Sequence, residues 1–111
     1  MKAITPRSIT ADEAAVINQA LRRAGVKATP EDIIRTIISL RVIGECECGC
    51  RSIQFESREG EEYMLADGVG YLRNGERVDV IVWGRDLSIA SLELVDHRGS
   101  GMMPEASTIC S

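Results

Sequence analysis

The sequence predicts an α+β domain in which two N-terminal helices pack on a four- to five-stranded antiparallel meander sheet. Three observations carry this. Apolar residues recur at helical spacing up to Leu40 and alternate with polar ones from there on. Two helix-start signals, Thr10-Ala11-Asp12-Glu13 and Thr29-Pro30-Glu31-Asp32, both fall in the first third. Turn residues then interrupt the chain at strand-length intervals.

Residues 1–9 read as a lead-in. Thr10 and Glu13 have capping-box spacing. Behind them Ile17, Ala20, Leu21 and Ala24 form one apolar stripe, and Gly25 supplies a left-handed stop, so a helix is expected over 11–24. Thr29 caps a second helix with Pro30 at its first position. Its wide face of Ile33, Ile34, Ile37, Ile38 and Leu40 predicts the more buried helix of the two, lying on the sheet.

Arg41–Glu47 reads as the first strand. Cys48-Gly49-Cys50 is a tight reversal, and Ser52–Glu56 a return strand with Ile53 and Phe55 on one face. Glu62–Leu72 is the third strand, where Gly68 and Gly70 suggest a bulge or a close approach. Asn74-Gly75 predicts a type I′ hairpin turn. In Arg77–Trp83, Val78, Val80 and Val82 share one face while Asp79, Ile81 and Trp83 share the other. Ser88–Asp96 puts Ala90, Leu92 and Leu94 inward. Residues 97–111 are expected to be an irregular tail.

A length of 111 residues suits a single domain, 1–111. Aromatic residues make up 4 %, too few for a base-stacking platform. Thirteen Lys+Arg against seventeen Asp+Glu give a net charge of −4 with no basic patch, which argues against nucleic acid. No apolar run is long enough for a membrane helix. Met1–Arg7 lacks an apolar core and a cleavage site, so a reducing cytoplasm is expected, with thiols or metal ligands in preference to disulfides.

Cys46-Glu47-Cys48-Gly49-Cys50 is the one unusual cluster. Three thiols within five residues offer three zinc ligands, and Cys110 or His97 from the tail would supply a fourth. A redox pair is a weaker reading, because Glu45 and Glu47 oppose thiolate formation and only Arg51 favours it. The plain reading is a cysteine-lined hairpin whose thiols pack as small apolar groups. His97 is the sole histidine and follows Asp96 at a strand end. Neighbouring strand residues point to opposite faces, so the two make no acid/base pair. No Gly-x-Ser-x-Gly or phosphate loop is present. The alternating acids of residues 45–62 read as the wet face of a sheet. If the valines face the helices, Trp83 and Ile81 stand on the open face as a binding patch. With the opposite parity Trp83 is core.

Three segments resemble a group of small uncharacterised bacterial proteins. They are Arg41–Ser52 with its Cys-x-Cys-Gly-Cys hairpin, the hairpin Val80–Ser88, and the last strand Ser91–Asp96. The likeness spans the last two-thirds of the chain. It implies a fold and, since no activity is established for the group, no chemistry.

The expected function is a non-enzymatic module that binds a protein partner through Trp83, Ile81, Glu45 and Glu47, with an immunity or inhibitor protein as one version. The alternative is a zinc-held structural module. A homodimer through an open strand edge is a further expectation.

Overall fold

The computed structural model describes residues 1–47, 50–57, 59–85, 88–96 and 101–110. The elements run β1 (Lys2–Ser8), α1 (Ala11–Arg23), α2 (Pro30–Ile38), β2 (Arg41–Glu45), β3 (Ile53–Phe55), β4 (Glu62–Tyr71), β5 (Arg77–Arg85), β6 (Ser88–Asp96) and β7 (Glu105–Cys110). The α+β class holds. The sheet is antiparallel throughout, but it has seven strands, in the order β1-β2-β3-β6-β5-β4-β7.

The two extra strands lie where a lead-in and an irregular tail were expected. Both are edge strands, and neither shows a clean alternation. β1 contains Pro6, and its register with β2 shifts between Ala3 and Arg7, an arrangement that an edge strand tolerates. β7 buries one large apolar side chain, Ile109. The path is not a simple meander either. β3 pairs with β6 rather than β4, so the chain crosses three strand spacings, about 14 Å, between Phe55 and Glu62. The segments 62–72, 77–83 and 88–96, expected to offer open edges, are all interior.

α1 begins with the capping box. Thr10 Oγ1 accepts from the Glu13 amide, and Glu13 Oε1 accepts from the Thr10 amide. It ends in a Schellman motif, with Val26 N–H on Leu21 C=O, Gly25 N–H on Arg22 C=O, and Gly25 at φ 73°. Val16, Ile17, Ala20 and Leu21 are buried, and α1 packs on β4, β5, β7 and α2. α2 is the outer helix, contrary to expectation. Ile33 and Ile37 reach the core, whereas Ile34 and Ile38 are exposed.

The core lies between α1 and one face of the sheet. Val78, Val80 and Val82 are fully buried there, with Leu92 and Phe55. The turn from β4 to β5 differs from type I′. Leu72 C=O accepts from Gly75 N–H, and Leu72 N–H donates to Glu76 C=O. Gly75 takes φ 87°. This is a three-residue loop with a glycine bulge, and Asn74 Oδ1 holds the Glu76 amide. No helix among the described residues is long and apolar enough to cross a membrane.

Candidate functional site

With the valines turned to the helices, the opposite face of the sheet carries Asp79, Ile81 and Trp83 from β5. Register places Val95, Glu93 and Ser91 of β6 directly across from them. Met64 and Asp67 of β4 lie across from Trp83 and Ile81. Both helices lie on the other side, so this face is open.

A groove of about 870 Å³ crosses it, and its cause is a mismatch of strand lengths. β3 has three residues and its neighbour β6 has nine. Leu94, Val95 and Asp96 therefore run on past the end of β3 and leave a gap in the sheet. Gln54, Ser91, Glu93 and Trp83 line the groove, with Ser52, Cys46 and Cys50 at the end where the chain enters β3. Its walls carry three carboxylates, Glu62, Glu93 and Asp96, and no lysine or arginine side chain among the described residues.

Trp83 is half-buried, and its indole N–H donates to Glu93 Oε1 at 3.0 Å. The two are diagonal neighbours across the β5–β6 ladder, a reach that a long side chain can span. The bond fixes the indole against the sheet and sets a carboxylate at its edge. Glu62 pairs with Arg85 at the rim. The sequence reading placed Trp83 and Ile81 on a common face. It did not single out Glu93, although the outward parity of that residue was visible.

Ser52 anchors the inner end. Its buried hydroxyl accepts from Leu94 N–H at 2.8 Å and donates to Leu94 C=O at 3.3 Å. It also accepts from the Cys50 thiol at 3.3 Å. Nothing in the sequence marked this serine.

Among the described cysteines of the possible zinc set, Cys110 does not join Cys46 and Cys50. Cys46 is disulfide-bonded, while Cys50 and Cys110 are free. Cys110 closes β7, four strand spacings or roughly 19 Å from β3. The strand order thus separates it from Cys46 and Cys50. Cys48 and His97 lie outside the described residues. Among the described residues no group of three or more His, Cys, Asp or Glu is placed to hold a metal ion.

Glu45 and Glu47 are exposed, but Glu45 does not join Trp83. Its carboxylate is 3.5 Å from Arg7 Nε. Arg7 also grips Glu13 through both of its terminal nitrogens, at 2.9 and 2.8 Å. The buried Glu13 carboxylate would be pushed up by desolvation. The bonds from Arg7 and the Thr10 amide outweigh that and hold it below the ordinary carboxylate value.

No protein-family model matches the chain, and neither a curated protein nor a solved structure is detectably similar to it.

Proposed function

We propose that the protein is a non-enzymatic interaction module whose open sheet face receives a basic side chain of a protein partner. One observation carries the reading: the groove sets the fixed indole beside the Glu93 carboxylate, and among the described residues no lysine or arginine side chain lines it. A guanidinium or ammonium group entering it would meet an aromatic face and negative charge together. Such contacts are worth about 0.5–2 kcal/mol for the aromatic part. The acidic surface adds attraction at longer range. Binding or inhibition of a basic protein, as an immunity protein would perform it, fits the same chemistry. Glu45 plays no part in this contact, because it serves Arg7.

Trp83 is the sole tryptophan, so its emission reports the groove directly. The test is a titration with an arginine-rich peptide and a glutamate-rich peptide of equal length, at low and high salt. The expected result is a saturable change with the arginine-rich peptide alone, weakened by salt and by Glu93→Gln. That variant keeps an acceptor for the indole and removes the charge. No response, or an equal response to both peptides, overturns the reading.

A further inference from the structure

The open face extends beyond the groove, with β5 along its middle. Met64, Val69, Ile81, Trp83 and Val95 share it, from three adjacent strands. A sheet face that meets only water is ordinarily polar, and an apolar patch of this kind marks a contact. Carboxylates cross the patch in register. Ile81 lies between Asp67 of β4 and Glu93 of β6. In the next row Asp79 lies between Val69 and Val95. Arg77 meets Asp79 at 3.1 Å, so the acids beside Ile81 carry the charge that a partner would feel.

We propose that this face docks an amphipathic α-helix of the protein partner, with its apolar stripe over Ile81 and basic residues on both flanks. The proposal rests on the basic-partner reading and names the element that delivers the basic side chain. Charge and width agree with it. Asp67 and Glu93 stand two strand spacings apart, about 9.6 Å. A helix with its side chains is about 10–12 Å across, so its flanks fall over these two carboxylates. β5 has nine residues, a run of about 30 Å, which is the length of about 20 helical residues.

Hydrogen bonding decides between a helix and an extended segment. β5 is laddered to β4 along its whole length, and to β6 from Val78 to Arg85. Beside them the Leu94 amide and carbonyl are held by Ser52. A chain lying over β5 therefore meets side chains and finds no backbone partner. An extended segment would lose water from its amides and carbonyls with nothing in exchange. A helix bonds those groups internally and presents side chains alone. The other face of the sheet is covered by a helix, α1, in the same way.

The test uses two peptides of about 18 residues, long enough to hold a helix on a surface. Both contain the same leucine, arginine, glutamine and alanine residues and differ only in order. One repeats leucine at helical spacing with arginine on both flanks, and the other alternates leucine and arginine. Trp83 emission gives the affinity, and far-ultraviolet circular dichroism gives the peptide's conformation. The helical order should bind about tenfold tighter or more, since a single backbone group stripped of water without a partner costs that much. It should gain helicity on binding. Ile81→Thr, checked for an unchanged urea midpoint, should weaken it several-fold, and Ile38→Ser on α2 should leave it as in the wild type. Equal affinity for both orders, tighter binding of the alternating order, or no effect of Ile81→Thr overturns the proposal. A response to the arginine-rich peptide with none to either of these overturns the helix and leaves the basic-partner reading standing. Silence with all three overturns both.

Discussion

Ser52 forms two hydrogen bonds with the backbone of one residue, Leu94, one from its N–H and one to its C=O. In doing so the side chain performs the task of a strand backbone. At Ser52 β3 has not yet begun, and Leu94 would otherwise present both polar groups to a gap. With the Cys50 thiol as a third partner, the hydroxyl uses its one donor and both acceptor positions.

Ser52→Ala therefore strands a buried amide and a buried carbonyl. The expected loss is about 1–3 kcal/mol, read as a lower urea midpoint with an unchanged slope. A change within error would mean that water replaces the hydroxyl at no cost.

The Arg7–Glu13 pair predicts an acid limb. Glu13 has a folded value below its ordinary 4.5. Its contribution is complete above the ordinary value and is lost as pH falls through the folded value. Glu13→Gln keeps the cap geometry but cannot ionise. The difference in stability between wild type and Glu13→Gln should be constant at neutral pH and shrink below the ordinary carboxylate range. A pH-independent difference would contradict the pairing.

The two faces of α2 should respond differently. Ile37 is 2 % exposed and Ile38 67 %. Ile37→Ala should cost about 2–5 kcal/mol, and Ile38→Lys should stay within about 0.5 kcal/mol. Thermal melts of both variants decide it. Equal losses would mean that the helix is rotated.

Gly70 is a question of space and Gly75 one of backbone. A Cβ at Gly70 would lie 2.9 Å from Pro104 Cβ and 3.2 Å from Ile109 Cγ1, both on the chain that forms and precedes β7. Gly70→Ala should lift that strand, cost about 1–3 kcal/mol and speed proteolysis after residue 100. Gly75→Ala meets no atom within 4 Å, so it pays only for its positive φ, about 1 kcal/mol. It should leave proteolysis of the tail unchanged.

Local chemistry was legible and long-range pairing was not. Thr10, Glu13 and Gly25 marked α1 to within a residue, because caps are written in adjacent positions. The parity of Val78, Val80 and Val82 separated the core from the face of Trp83. β1 and β7 escaped notice because an edge strand needs little apolar pattern and can carry Pro6. The isoleucines of α2 suggested deep burial, but two of the four face water. Period alone does not say how many neighbours a helix has. The groove was invisible for a related reason. It arises from the unequal lengths of β3 and β6, two strands whose adjacency no local signal reveals.

The junction between those strands also governs how the molecule assembles. β4 pairs with β5 and β5 with β6, each the next strand in sequence, and β2 pairs with β3. β3 and β6 join across a stretch where Ser52 and Leu94 stand 42 positions apart. α1 meets β7 across a still longer separation. Contacts between distant positions carry the entropy of closing a large loop, and chains that depend on them fold slowly. The local hairpins can form early, and the two halves of the sheet join afterwards. The groove is lined from both halves, so it does not exist in any intermediate that lacks this join. A partner that recognises it would recognise only molecules that have completed the slowest step of folding.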